Sequence, residues 1–489
     1  MKILFVASEG LPFSKTGGLA DVVEALPKAL VALGHEVAVV LPRHRNTKAV
    51  AVAAPSLTIP LDRTLRFPAI MDGGALNRVR YYFVDDPEYF DRAQLYGTDG
   101  KDFPDNAERF AEFARAAIEF MKHIWLPDVV HCHDWQSALV PVLLRTQYAK
   151  DSVVQGAPTV FTIHNMGYHG LFPRDVLQKI GLPEELFRID GLEFFGKVNF
   201  LKGGLLFSDY LTTVSRKYAQ EIQTPEYGHG LDGVVRTRAD RLIGILNGVD
   251  YSAWSPENDK FIAARYSAND LSGKLACKKN LLEVFGLPLT LMNKPLIGIV
   301  SRFAAQKGFD LIEEVAVGLV KEEVALVALG AGEPKYEKMF RDLSAQYAGR
   351  VGVKVAYDNA VAHKIEAGAD IFLMPSRYEP CGLNQIYSLK YGTVPVVRAT
   401  GGLDDTIEQF DPETGRGTGF KFQPYKGSAL LGVVRTALGV YLNEPAAWRR
   451  IQANGMAKDF SWQASAVEYA RLYETAWKSR NRKAVGTSK

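Results

Sequence analysis

The chain has 489 residues, 47% of them hydrophobic and 23% charged, with a formal net charge of +3 at pH 7. That length exceeds what one hydrophobic core supports and requires two domains or three, while the evenly spread charge offers no basic arm or stripe and excludes nucleic acid as a partner. No run approaches the roughly 18 apolar residues of a membrane-spanning helix, so no membrane partner is expected. The chain opens on an apolar strand, KILFVAS from Lys2, with no signal-peptide pattern. Three cysteines, Cys132, Cys277 and Cys381, form no CxxC or Cys/His set, which suits a reducing, cytoplasmic setting.

Taken in chain order, the spacing predicts a strand over Ile3–Ala7, a helix from about Leu19 to Leu33 closed by Gly34 and His35, and a strand over Glu36–Leu41. Strands follow at Val129–Cys132, with a helix after Trp135, and at Thr159–Ile163, Tyr210–Thr213 and Leu242–Ile245. Short continuous apolar runs belong to parallel strands buried on both faces, and their alternation with helices predicts a doubly wound sheet. The pattern weakens between Asn247 and Pro295, then restarts. Strands are predicted at Leu296–Val300, Val324–Leu329, Val351–Ala356, Ile371–Met374 and Val394–Val397, with helices over Phe309–Val320, from Lys335 and after Gly382. Helical periodicity near Ala429–Leu442 and Trp462–Trp477 closes the chain, and the basic stretch from Ser479 is expected to fray. The fold class read from this is α/β: two Rossmann-like doubly wound domains, residues 1–247 and 295–460, joined by a hinge over 248–294. A terminal helix and tail over 461–489 is expected to pack back on the first domain. Such a pair places ligands at the carboxyl ends of the strands, in a cleft where the two domains meet.

Four segments fall at such strand ends. KTGGLAD (Lys15–Asp21) follows the first strand. Gly17 and Gly18 let backbone approach a ligand at a helix N-terminus, Lys15 adds a point charge suited to phosphate, and Asp21 can take a sugar hydroxyl. SRFAAQKG (Ser301–Gly308) carries Arg302 and Lys307 five residues apart. A departing diphosphate needs a metal or fixed cations; the chain contains no Asp-x-Asp pair to hold magnesium, so these two are the natural substitute and no metal is expected. LGAGEPKYE (Leu329–Glu337) begins like a dinucleotide fingerprint with Gly330 and Gly332, but Lys335 stands where a third glycine belongs, leaving only a turn that a nucleotide can approach. In RYEPCGLNQ (Arg377–Gln385), Glu379 can grip sugar hydroxyls, the Gly382–Leu383 amides can meet phosphate, and Cys381, with no partner base evident, is read as packing.

Histidines end two strands of the first domain, in HCHDW (His131–Trp135) and TIHN (Thr162–Asn165). Zinc is disfavoured, because strand-end positions alternate faces and nothing completes a tetrahedral set. Asp134 and His164 are better read as polar groups lining a sugar pocket, with Asn247 of NGVD beside them.

In their order along the whole chain, KTGGLAD, HDW, HN, NGVD, SRFAAQKG and EPCGLNQ resemble the bacterial glycogen synthases and plant starch synthases, retaining glycosyltransferases of the two-Rossmann GT-B architecture. The resemblance implies transfer of glucose from ADP-glucose to the non-reducing end of an α-1,4-glucan, with no cofactor. It implies that Lys15 contacts the nucleotide sugar, that Arg302 and Lys307 hold the diphosphate, and that Glu379 grips the glucosyl unit. It also implies that the backbone carbonyl of His164 faces the oxocarbenium-like centre, and that Asp21, Asp134, Asn247 and Tyr96 line the sugar pocket. No N-terminal extension precedes the first strand, which fits the bacterial branch better than the plastid one. Two other readings stand beside it: another GT-B enzyme with a different donor or acceptor, which KTGGLAD argues against, and a non-catalytic glucan-binding protein, in which Arg302, Lys307 or Glu379 would be expected to be lost. Oligomeric state has no signature in the sequence.

Overall fold

The structure, a computed structural model, describes residues 1–62, 64–98 and 100–486, with side chains described to residue 480. The chain divides into two compact units, Met1–Val214 with Ala219–Gly248 and Trp462–Lys489, and Val249–Ser461 with the short piece Ser215–Tyr218.

The first unit is built on β1 (Lys2–Val6), α1 (Leu19–Ala32), β2 (Glu36–Pro42), β3 (Ala51–Ala54), β4 (Ala69–Leu76), β5 (Val79–Asp85), β6 (Val129–His133), β7 (Thr159–Ile163), β8 (Tyr210–Thr213) and β9 (Leu242–Gly244). The nine strands form one sheet in the order β9-β8-β7-β6-β1-β2-β5-β4-β3. From β9 to β5 it is parallel. β4 and β3 extend one edge antiparallel, an addition absent from the sequence reading. β3 is largely exposed and β4 largely half-buried, and Gly73 and Gly74 interrupt the β4 run, so no apolar block marks them.

The second unit holds α2 (Ser272–Val284), β10 (Leu296–Val300), α3 (Phe309–Lys321), β11 (Ala325–Gly330), β12 (Val351–Val355), β13 (Ile371–Met374), α4 (Asn384–Lys390), β14 (Val394–Arg398), α5 (Gly401–Thr406) and β15 (Phe420–Phe422). Its six strands form a parallel sheet in the order β12-β11-β10-β13-β14-β15. Alternate residues of one strand enter opposite cores: Leu326 and Ala328 of β11 belong to one apolar cluster, Ala325, Val327 and Leu329 to the other. Burial on both faces is why these strands read as unbroken apolar runs.

Residues 249–294, expected as a hinge, are instead part of the second unit. α2 packs there through two buried lysines, which break the apolar period that would have revealed it. Lys274 Nζ donates to the carbonyls of Ala367 (2.9 Å) and Tyr391 (3.1 Å) and to Thr393 Oγ1 (2.7 Å), and Lys278 Nζ pairs with Asp370 at 2.7 Å. Trp254 lies flat between His363 and Tyr387, ring centroids 3.6 and 4.0 Å away.

The closing helix, α6 (Trp462–Gly486), returns to the first unit, where Trp462, Ala466, Tyr469, Leu472, Tyr473 and Ala476 share a core with β1 and α1. Gly248 is required at this junction: a Cβ there would sit 2.5 Å from the Trp462 Cα. The tail from Ser479, expected to fray, continues the helix to Gly486, and Arg480 comes within 3.4 Å of Asp209.

Tyr473 OH bonds His131 Nδ1 at 2.8 Å inside this core. Tyr473→Phe leaves a buried ring nitrogen unpartnered, a loss of about 1–3 kcal/mol. Hydrogen exchange of the β6 amides should quicken accordingly while amides of the second unit hold; unchanged β6 protection would show that the bond carries no weight.

Candidate active site

In the first unit the KTGGLAD segment rises from the end of β1 into α1, with Lys15 to Gly18 exposed. Beneath it the buried Glu9 carboxylate accepts from the Thr16 N–H (2.5 Å), Thr16 Oγ1 (2.7 Å) and the Gly17 N–H (3.2 Å). Burial raises the Glu9 pKa against these bonds. A Cβ at Gly18 would meet nothing within 4 Å, and one at Gly17 only an ordinary contact with Glu9. Packing therefore does not demand glycine at either position, and the backbone there stays open to approach from outside. α1 has no side-chain cap hydrogen bond at Gly18, and the first amides of a helix have no partner within the helix itself. Lys15 pairs with Asp21 at 2.7 Å, both about one-third exposed. Asp21 thus steadies the lysine through Oδ1.

Next to this loop lies a pocket of about 280 Å³ lined by Thr16, Gln94, Leu95, Tyr96, Gly97 and Lys101 among others. Tyr96 OH bonds Ser8 Oγ at 2.7 Å, and burial lifts its pKa far above the phenol range.

At the ends of β6 and β7 the structure corrects the reading of the histidines. Positions i and i+2 of a strand share a face, and His131 and His133 lie with ring centroids 4.1 Å apart. His133 Nδ1 is 3.0 Å from His164 Nε2, a hydrogen-bond distance. Among the described residues no group of three or more His, Cys, Asp or Glu is placed to hold a metal. Burial holds His131 and His133 well below the usual imidazole range and His164 at about 3, so all three are neutral at pH 7. Asp134, at a left-handed φ of 55°, accepts from the His164 N–H at 2.8 Å. A non-glycine residue held there signals a functional constraint; here it aims a carboxylate at the backbone of the next strand end. Burial pushes this carboxyl up to about 7 against the pull of the His164 and Asn165 amides, and the Glu9 charge adds to the rise. Asn247 is buried, with Oδ1 unpartnered among the described residues.

In the second unit Lys307 Nζ lies 2.9 and 2.7 Å from the two oxygens of Glu379, and Ser376 Oγ donates to the same carboxylate at 3.0 Å. Lys307 is one-fifth exposed and Glu379 nearly buried. Backbone packing fixes both. Gly308, at φ 78°, would drive a Cβ to 2.0 Å from the Pro375 carbonyl oxygen, and Gly401, at φ 46°, to 1.9 Å from that of Glu379. The Gly402 N–H donates to that same Glu379 carbonyl at 3.0 Å. Gly401 and Gly402, with Glu9 and Ser376, are site-building residues that the sequence reading missed; a glycine pair opening a helix at a strand end was the available signal. Arg302 is exposed, and its guanidinium donates to Gln306 Oε1 at 3.2 Å. Gly330 and Gly332 brace this loop: a Cβ would come within 1.9 Å of the Ser301 carbonyl oxygen and 2.3 Å of that of Phe303. Their close approach is thus to the Arg302 loop. Tyr357, 91% exposed, stands just past β12, after Ala356 whose N–H donates to the Gly330 carbonyl. Gly382, at φ 72°, and Leu383 open α4. Cys381 is buried and in no disulfide.

Residues 2–237 match the family of the starch synthase catalytic domain, and residues 288–448 match the glycosyl transferases group 1. A glycogen synthase of Koribacter versatilis is 60% identical, with 97% of this chain and 98% of that protein covered. The chain belongs to the glycogen synthase family. A second member, from Anaeromyxobacter dehalogenans, is 49% identical over 97% of this chain and 99% of its own. The catalytic domain of starch synthase IV from Arabidopsis thaliana, solved with ADP and acarbose, superposes with a TM-score of 0.87 at 34% identity, covering 97% and 99% of the two chains. The fold is therefore the GT-B arrangement of two Rossmann-like units, and the chain, like its family, is a glycosyltransferase.

The ionisation of Asp134 gives this synthase-family site a pH signature. An unfolded aspartate releases its proton near 3.9, the folded one at about 7. Its anion therefore costs the first unit stability as pH rises through that window, and the cost is complete above about 7. Because the anion is the form that grips the His164 amide, kcat should climb through about pH 7. Asp134→Asn should lower kcat and abolish that limb of the profile; an unchanged limb would assign it to another group.

Proposed function

We propose that the chain transfers glucose from ADP-glucose to the non-reducing end of an α-1,4-glucan, with retention of configuration and release of ADP. The observation that carries this reading is the Lys307–Glu379 pair, a cation and a carboxylate held side by side by glycine-packed backbone. When the donor binds, Lys307 and Arg302 take the diphosphate while Glu379 takes glucosyl hydroxyls. Charge developing on the leaving group then meets fixed cations that need no reorganisation. Both are side chains, so the reaction needs no metal. The exposed ring of Tyr357 is suited to stack on the base of the nucleotide. In the first unit Lys15 and the open amides of α1 serve the donor, with Gly17 and Gly18 permitting the approach. Asp134, Asn247 and Tyr96 serve the sugar, and Gly382 and Leu383 add backbone donors for phosphate.

Asp134 accepts from the His164 amide and from the Asn165 amide, whose peptide carries the His164 carbonyl, which supports the role of that carbonyl beside the oxocarbenium-like centre. The acceptor hydroxyl attacks from the face the phosphate is leaving, and a phosphate oxygen takes its proton. Retention by this route needs no carboxylate nucleophile, in contrast to the paired carboxylates of glycosidases. Three buried cysteines outside any disulfide support a reducing, cytoplasmic setting.

Incorporation of labelled glucose into glycogen should proceed from ADP-glucose and persist in EDTA. Incorporation from UDP-glucose instead would overturn the donor, and loss in EDTA restored by magnesium would overturn the metal-free mechanism. Lys307→Ala should lower kcat by about 10²–10³-fold with the circular dichroism spectrum retained; unchanged turnover would remove Lys307 from the leaving-group role.

A further inference from the structure

The three imidazoles at the ends of β6 and β7 are not equivalent. His131 is satisfied at both nitrogens, Nδ1 by Tyr473 OH at 2.8 Å and Nε2 by Thr162 Oγ1 at 2.6 Å. His133 is fully buried, lies against Phe5 with ring centroids 5.3 Å apart, and its ring has a single hydrogen bond among the described residues, between Nδ1 and His164 Nε2. Its other nitrogen, Nε2, is buried with no partner among the described residues. His164 alone of the three is partly exposed.

Two neutral rings sharing one hydrogen bond can arrange their protons in only two ways. If His164 donates from Nε2, His133 must carry its proton on Nε2, and a buried N–H is left without an acceptor. If His133 donates from Nδ1, its Nε2 is left as a bare lone pair, and His164 carries its proton on Nδ1. Among backbone groups, orphaned buried N–H donors are rarer than under-satisfied acceptors, and the same preference applied to the His133 ring selects the second arrangement. We propose that His133 is a positioning residue that fixes His164 as its Nδ1–H tautomer, making His164 a hydrogen-bond donor to the glucosyl unit rather than a base. This rests on the reading that His164 meets the donor sugar. His131 cannot do the same work, because both its nitrogens are already engaged.

The tautomer can be read without any substrate. Of the nine histidines in the chain, His164 is identified in two-bond ¹⁵N–¹H correlation spectra of the ¹⁵N-histidine-labelled full-length protein by the signals lost in His164→Gln. The expected pattern is a protonated Nδ1 and an unprotonated Nε2 at pH 7. The reverse pattern overturns the proposal, whatever the donor specificity and whether or not any variant folds. In His133→Leu, which removes the donor, His164 should show a mixture of tautomers. kcat should then fall about tenfold, as expected for one lost hydrogen bond, with KM for ADP-glucose within about twofold. His133→Asn, whose amide can stand near the position of Nδ1, should restore the Nδ1–H pattern and most of kcat. A His133→Leu protein that keeps one tautomer would also overturn the assignment. A correct tautomer in a protein inactive with ADP-glucose would instead fault the donor reading alone.

Discussion

The Glu9 carboxylate, buried at the end of β1, accepts hydrogen bonds from the two backbone amides and one hydroxyl of the loop above it. A buried anion is costly unless its oxygens are filled, so loop and carboxylate fix each other. The same construction recurs wherever the site needs a rigid turn. Asp134 accepts the amide of His164 at the next strand end, and Glu379 is filled by Lys307 and Ser376 in the second unit. Parallel sheets deliver bare backbone at their carboxyl ends, and in this protein buried carboxylates shape it. The exposed groups of these turns can then be accessible without being loose, because the constraint acts on the peptide beneath them.

The glycines of the site divide by what requires them. Gly308, Gly401, Gly330 and Gly332 are demanded by the protein, since a Cβ at each would lie about 2 Å from a carbonyl oxygen. Gly17 and Gly18 have no such neighbour. The first group makes a dense second unit whose cation loop and carboxylate turn cannot drift apart. The second group leaves an opening over the end of α1. One residue type thus serves rigidity in one place and access in another, and only the structure tells the two apart.

Most of the parallel strands were legible because burial on both faces writes continuous apolar runs, as in β11, although β5 and β15 were not read, and the chemical motifs stood out because each follows such a run. Other features were hidden. The antiparallel edge of β3 and β4 is half exposed and interrupted by Gly73 and Gly74, so it carries no block pattern. α2 turns Lys274 and Lys278 inward, and buried lysines satisfied by carbonyls and a carboxylate look like solvent-facing residues in a sequence. The pairing of His133 with His164 depends on the register of β6 against β7, which spacing alone does not give. Glu9 was missed for a related reason: its role is toward backbone, and a residue that works through peptide groups leaves no partner to find in the sequence.

The first unit is completed by residues from both ends of the polypeptide, with Tyr469 and Tyr473 of α6 buried against strands made from the opening residues. During synthesis this core stays open until α6 has emerged from the ribosome. The second unit, whose residues all lie before Trp462, is available in full earlier. The usual N-to-C order of domain folding on the ribosome is thereby inverted: the half translated first is the half finished last, because its core waits on α6.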